Sequence, residues 1–392
     1  MVIPYTKQAL FQPIQHDKLL AQEIIEQLRY GSAPCRGATL LSVGREQILK
    51  EITQQLCTIS KGKSSLKIIN GAWGIGKSQM LYMLQERALK SKFAVSLVTL
   101  SPRECPLYDL IVVYQNIMKH VCTEEYPDCP ALEQILHSWA QSVRKKYIQT
   151  NEKALSLKRI NLEFKQALTI YYTADSKNDQ LLVNKTLSWF YGDMVSSREA
   201  QKASLPSVVS TANALERLGN ISIMIRELGY QGLVILFDEA ETISSIYSPQ
   251  SQNALSNLIA FANTANKSPF TYFIYATTPD FFSHLKNDNR NLGIASQRTI
   301  LLANLNHSEL VELALRIKEI HFVAENWDGD SRTQDKKLSD IVGKLVNGLQ
   351  GKLTPRDLVK SIITYLDICH GNPNVTSDEI LSDILRTLAE EM

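Results

Sequence analysis

Eight consecutive residues, Gly71-Ala72-Trp73-Gly74-Ile75-Gly76-Lys77-Ser78, have the spacing G-x-x-x-x-G-K-[ST], and Gln79 follows them. Glycines at the first, fourth and sixth positions let the backbone turn tightly with its amides pointing inward. That makes a nest for phosphate oxygens at the N-terminus of a helix whose dipole favours anions. Lys77 is placed to reach the β- and γ-phosphates, and Ser78 to coordinate Mg²⁺ through its hydroxyl. The chemistry is that of a Mg²⁺–ATP site. A chance glycine-rich turn would not need what surrounds this one: an apolar run before it, at Leu66–Asn70, and an apolar pattern of helical period after it, to Leu89.

A second set of chemical groups closes an apolar run at Gly232-Leu233-Val234-Ile235-Leu236-Phe237-Asp238-Glu239-Ala240-Glu241. Such a run suits a strand buried on both faces. Asp238 at its end would hold the Mg²⁺ shell, and Glu239 would polarise the attacking water as general base. An apolar run closed by acids is common at plain strand ends, but after a phosphate-binding loop in the same chain it reads as the hydrolytic pair. Glu241 reads as a solvated acid at a helix start. Thr277 and Thr278 close another apolar run, Thr271–Ala276, and suit either a sensor of the γ-phosphate or lytic water, or caps for the helix that Pro279-Asp280 would start. Arg298 precedes a short run at Thr299–Leu302, with Arg290 eight residues upstream; each is either an arginine finger for a neighbouring subunit's nucleotide or a plain surface arginine. Thr354-Pro355-Arg356-Asp357 reads as a capped helix start, from which Arg356 could reach the phosphates if the helix belongs to a lid.

The elements that must position these groups follow from the same patterning. Apolar runs at Leu66–Asn70, Phe93–Leu100, Leu233–Phe237, Thr271–Ala276 and Thr299–Leu302, alternating with helical segments, predict an α/β fold: a P-loop NTPase with a three-layer parallel sheet, a large helical insertion and a C-terminal helical lid. We divide the chain into an N-terminal helical segment at 1–60, a core at 61–305 that includes the helical insertion at 104–230, and a lid at 306–392. That lid leaves no length for a separate DNA-binding domain after it.

The 392 residues are 44% hydrophobic and 21% charged, an ordinary globular composition. With 42 Lys+Arg against 40 Asp+Glu, whole-chain charge implies neither a nucleic-acid nor a membrane partner, so any such surface must be local. The N-terminus lacks the pattern of a secretory signal and no apolar run is long enough to span a bilayer, so a cytoplasmic protein is expected. Six cysteines, Cys35, Cys57, Cys105, Cys122, Cys129 and Cys369, form no CxxC pair. They read as scattered buried thiols without metal.

The motifs in this order, with Gly44-Arg45-Glu46 ahead of the loop, resemble the AAA+ ATPases and, within them, the origin-recognition-like branch. Leu100-Ser101-Pro102-Arg103-Glu104, Glu26–Pro34, Trp189–Gly192, Leu228–Glu241 and Leu353–Asp357 together look like the ATP-binding proteins of BREX phage-defence systems, the BrxC/BrxD family. The resemblance spans nearly the whole chain. It implies an AAA+ fold, ATP and Mg²⁺, and work beside other defence proteins acting on phage DNA. Residue by residue, it supports Lys77 and Ser78 on phosphate and metal, Asp238 and Glu239 in hydrolysis, Arg356 as the lid sensor, and Gly44 and Arg45 beside the adenine. It also implies homo- or hetero-oligomers. The sensor position, often Asn in the AAA+ class, is Thr277/Thr278 here.

Within the insertion, residues 144–165 carry Arg144, Lys145, Lys146, Lys153, Lys158, Arg159 and Lys165 against Glu152 and Glu163. This stripe is either solvated helix surface or a non-specific contact for duplex DNA, with Tyr147 and Phe164 available for stacking. Three functions fit the residues: an ATPase motor or switch, an ATP-loaded scaffold with little hydrolysis, and a small-molecule phosphotransferase. The absence of an acceptor-binding motif sets the last behind the others.

Overall fold

The computed structural model describes residues 17–127, 130–150, 160–194, 196–241, 248–265, 268–280 and 299–391. In chain order the elements are α1 (Lys18–Arg29), a 3₁₀ turn (Ala38–Leu41), α2 (Glu46–Ile59), β1 (Ser65–Asn70), α3 (Lys77–Lys90), β2 (Ala94–Thr99), α4 (Leu110–Lys119), β3 (Val121–Cys122) and α5 (Leu132–Thr150). They continue with α6 (Leu162–Ser176), α7 (Gln180–Tyr191), α8 (Ser197–Lys202), α9 (Ala214–Glu227), β4 (Leu233–Asp238), α10 (Ser248–Ala265), β5 (Thr271–Thr277) and β6 (Thr299–Leu301). Four helices close the chain: α11 (His307–Glu325), α12 (Asp335–Gly348), α13 (Pro355–Gly371) and α14 (Ser377–Glu391). These form two compact units, a sheet unit of Glu51–Asn70 and Arg87–Ile300 and a helical unit of Met1–Lys50, Gly71–Glu86 and Leu301–Met392.

The sheet has the order β3-β2-β4-β5-β1-β6. β2, β4, β5 and β1 are mutually parallel, with Thr99 beside Asp238, Phe237 beside Tyr275 and Asn70 beside Thr277. Every residue of β4 and β5 is buried, which is why both read as unbroken apolar runs rather than alternating ones. Where the sequence suggested only parallel strands, the two-residue β3 runs antiparallel to β2. It is too short to carry a periodic signal. Insertion helices α4 to α9 share a core with the sheet, built on Tyr114, Phe164, Trp189, Phe190 and Leu218. Arg217 is 2% exposed within it. Its guanidinium lies 3.9 Å from the Trp189 ring centre and donates to the carbonyls of Ser207 and Trp189, each at 3.0 Å. Aromatic faces and carbonyls replace the water that this cation loses.

The helical unit has its own core, from Ala21, Ile24 and Ile25 of α1 through Ile317 of α11 and Val342 of α12 to Leu358 and Leu366 of α13. Two of its helices, α11 and α13, begin on capping boxes. Asn306 Oδ1 accepts from Glu309 N at 3.0 Å and Glu309 accepts from Asn306 N at 2.7 Å, while Thr354 and Asp357 repeat the pattern at α13 with Pro355 at the first position, as the sequence predicted. Arg316 donates to Leu40 O and Ser42 O at 3.1 and 2.6 Å, fixing the 3₁₀ turn on α11. Arg29 clamps α1 to two other helices, donating to Asp367 at 2.6 and 2.9 Å and to Glu325 at 2.6 Å. The buried His321 reaches Asp367 from α11 at 2.9 Å.

Cys105, Cys122 and Cys369 are buried, and burial pushes the Cys105 thiol up to about 12, so it is inert. Cys35 and Cys57 are exposed, contrary to the expectation of buried thiols, and Cys129 lies outside the described residues. Among the described residues no helix is long and apolar enough to cross a membrane.

Burial alone would raise the Asp367 carboxyl, but hydrogen bonds from His321 and Arg29 override it and hold it at about 2. Against about 3.9 in an unfolded chain, this carboxylate contributes stability that is complete above about pH 4 and is lost as pH falls through about 2. Asp367→Asn should therefore lower the melting temperature at about pH 6, and the gap to wild type should close as pH drops toward about 2. Melts across that range by circular dichroism check it; a gap constant with pH would contradict it.

Candidate functional site

The loop that follows β1 turns where its glycines allow. Gly74 and Gly76 have φ of +75° and +96°, and α3 begins immediately after, with Met80 N donating to Gly76 O at 2.9 Å. Gly71 is required by space rather than by angle: a Cβ there would lie 2.8 Å from Ile75 Cγ2. Lys77 is 8% exposed, and its Nζ donates to Gly71 O at 3.1 Å and Ala72 O at 3.2 Å while lying 5.3 Å from the ring centre of Trp73, itself 64% exposed. The ammonium is thereby folded back along the loop. Ser78, half-buried, sits in the first turn of α3.

Other parts of the helical unit brace this loop. Arg356 N, at the start of α13, donates to Gly74 O at 3.1 Å, and the Thr354 side chain stands so close that a Cβ on Gly74 would meet its Oγ1 at 2.7 Å. Arg45 Nη2 donates to Ile75 O at 3.3 Å. Burial lowers the Arg45 guanidinium below its ordinary range, with Glu309 and Glu46 opposing that effect. Gly44, φ +64°, lies against the Glu309 carboxylate, which a Cβ would meet at 2.5 Å. Gln79 Nε2 donates to Ala38 O at 2.6 Å, and Glu86 accepts from Ala38 N at 2.8 Å and Thr39 Oγ1 at 2.6 Å. The 3₁₀ turn is thus bolted to α3. Arg356, Arg45, Gly44 and Gln79 all lie in one unit with Lys77 and Ser78, an arrangement no local pattern could reveal.

In the sheet unit, Asp238 ends β4 and is 8% exposed; it accepts from the next backbone amide, Glu239 N, at 2.9 Å. Glu239 has φ +56°, in the left-handed region that a non-glycine residue occupies at a cost. This strain, invisible in the sequence, turns the chain at the residue read as the base, where stored backbone strain is a mark of function. Glu241 is 9% exposed. The sequence suggested a solvated helix-start acid; the tight turn after β4 buries it instead. Thr277, fully buried, ends β5, and Thr278 is 6% exposed just before the helical turn at Pro279 and Asp280. Thr277 Oγ1 and Asn70 Oδ1 are buried without a hydrogen-bond partner among the described residues. Each such orphan costs about 1–3 kcal/mol. Asn70 was missed in the sequence, although its place directly before Gly71 was a usable signal.

Arg298 and Arg290 lie outside the described residues, as do Lys153, Lys158, Arg159 and Glu152 of the basic stripe. Of the rest, Arg144 is paired with Asp175, and Lys145 and Lys146 are exposed. Phe164, expected to be available for stacking on bases, is fully buried 5.3 Å from Trp189 in the insertion core. Its helix presents that position to the core because a large aromatic there gains more from burial than from exposure.

A glycine-rich phosphate loop between a buried strand and a helix, in a parallel sheet of this order with a helical unit at the chain's end, defines a P-loop NTPase of the AAA+ class. More narrowly, the chain belongs to the BREX system ATP-binding protein BrxC/D family, whose model matches residues 17–384. Similar solved structures include the Aeropyrum pernix ORC2 protein in its ADPNP-ADP complexes (12% identity, TM-score 0.49, covering 88% of this chain and 67% of that one). Also similar are the Walker-type ATPase PABY2304 of Pyrococcus abyssi (16%, 0.41, 88% and 72%) and Drosophila ORC bound to DNA (12%, 0.41, 91% and 69%). Comparison with curated proteins gave no match.

Gly74 and Gly351 share φ +75°, but nothing lies within 4 Å of a Cβ on Gly351. Each alanine costs about 1–2 kcal/mol for its angle, and only Gly74→Ala also displaces Thr354 from the phosphate loop. Calorimetric titration should show ATP affinity reduced at least about tenfold in Gly74→Ala and unchanged in Gly351→Ala; equal effects would separate α13 from nucleotide binding.

Proposed function

We propose that the protein binds Mg²⁺–ATP and hydrolyses it as a nucleotide-dependent switch or motor in a cytoplasmic, DNA-associated antiphage defence system, acting as an oligomer with itself or with other defence proteins. The observation that carries this reading is the hydrogen bond from Arg356 N to Gly74 O. It makes the position of α13 depend on the shape of the phosphate loop, so that whatever the loop binds is felt by the helices behind it.

On this reading Gly71 to Ser78 bind the triphosphate through amides and through Lys77, and Arg356 neutralises charge that grows on the phosphates. The metal-binding pair would be Ser78 and Asp238, a hydroxyl and a carboxylate, the hard oxygen donors that Mg²⁺ takes. Bound there, Mg²⁺ would neutralise charge on the phosphate oxygens. Glu239 takes the proton of the attacking water, and Thr277 and Thr278 orient that water. Gly44 and Arg45 stand on the adenine side, and Arg298 is a finger for a neighbouring subunit. The exposed Lys145 and Lys146 support a weak, sequence-independent contact with duplex DNA.

Lys77→Ala should abolish ATP binding in calorimetric titration. Glu239→Gln should bind ATP like wild type yet lose turnover by about 10²–10⁴-fold. Steady-state hydrolysis against protein concentration, with and without duplex DNA and with Glu239→Gln as the blank, decides between motor and scaffold. Turnover rising with concentration or DNA supports the proposal; tight ATP binding with turnover no higher than the blank would replace it with the ATP-loaded scaffold.

A further inference from the structure

The two residues that carry these orphaned atoms end adjacent strands. Asn70 and Thr277 are register partners in the parallel pair β1 and β5. Partners of this kind sit about 4.8 Å apart across the ladder and project from the same face of the sheet. Asn70 is 5% exposed and Thr277 fully buried, so bulk water does not satisfy either atom. Two other hydroxyls of β5, on Tyr272 and Tyr275, also lack partners among the described residues. They lie further back in the strand, and the ring of Tyr275 is stacked on Phe237 with 4.7 Å between centres, so packing accounts for its place. No such packing argument applies to a short amide and a short hydroxyl at a strand terminus.

The chemistry of the pair selects its ligand. Asn70 Oδ1 only accepts, so it needs a donor, while Thr277 Oγ1 can donate or accept. An unprotonated phosphate oxygen would suit the threonine and repel the amide oxygen. A water molecule suits both: it donates one O–H to Asn70 and accepts from Thr277. The position also matters. β4, β5 and β1 are consecutive in the sheet; Glu239 directly follows the end of β4, and Thr277 and Asn70 end the other two, all within one unit. Asn70 is covalently joined to Gly71, the first residue of the phosphate loop.

We infer that Asn70 and Thr277 together hold the water that attacks the terminal phosphate, so that Asn70 is a catalytic residue of this site. This rests on the hydrolytic reading proposed above. In the step, the water oxygen bonds to the γ-phosphorus, the bond from phosphorus to the β–γ bridging oxygen breaks, and ADP departs with that electron pair. The proton that the water does not direct at Asn70 passes to Glu239.

The test uses the full chain with Mg²⁺–ATP and reads single-turnover hydrolysis alongside ATP and ADP affinity. Asn70→Ala and Thr277→Val should each slow hydrolysis at least about tenfold with affinities within about threefold of wild type. The double variant should be little slower than the worse single one, because both remove one water. Asn70→Asp, which keeps the acceptor oxygen, should recover part of the rate lost in Asn70→Ala. Thr277→Val should melt no lower than wild type, since it removes an unsatisfied buried hydroxyl. An unchanged rate in Asn70→Ala, a loss explained by weakened ATP binding, or fully multiplicative losses would overturn the inference while leaving hydrolysis standing. Wild-type turnover equal to that of Glu239→Gln would overturn both.

Discussion

β4 and β5 are buried along their whole length, and the sheet unit is arranged around that constraint. A strand covered on both faces accommodates a short polar side chain most readily at its ends. Asp238, Thr277 and Asn70 stand at the C-terminal ends of three strands that are adjacent in the sheet. The sheet does not merely carry these groups. By excluding water from everything behind them, it makes the strand ends low-dielectric positions, and these are where the proposed chemistry places a carboxylate, a hydroxyl and an amide.

The helical unit solves a different problem. A loop built on glycine is conformationally permissive, and its ordering must be held from outside. Here Arg356 N, Arg45 and the Thr354 side chain fix successive parts of the loop, and Gln79 and Glu86 anchor the helix that follows it. These partners come from segments far apart in the chain. Their own places are set by caps and ion pairs: Thr354 with Asp357, Asn306 with Glu309, and Arg29 with Asp367 and Glu325. The order of dependence runs from helix caps to bracing groups to phosphate loop.

Much of this was legible in the residues. The loop, its flanking strand and helix, the buried strand ending in Asp238 and Glu239, and the Thr354-Pro355 helix start all have signals that live within a dozen residues, where spacing reports geometry directly. What was not legible depended on distant partners or on backbone angle. The left-handed turn at Glu239 has no glycine to announce it. Phe164 was offered as a stacking residue because its neighbours are basic, yet the face it occupies is decided by Trp189 and Phe190, some 25 positions away. Arg217 sits in the core because three rings and two carbonyls converge on it. Asn70 drew no reading as a site residue because its register partner, Thr277, lies some 200 positions away.

One contact in the phosphate loop has a use unrelated to stability. Trp73 stands largely in solvent with the Lys77 ammonium over its ring. Indole emission is sensitive to a nearby positive charge, and an ammonium drawn to a phosphate leaves the ring face. On the proposed reading, a triphosphate that draws Lys77 away would change the light from the tryptophan four residues before it, giving the loop its own optical gauge with no label attached.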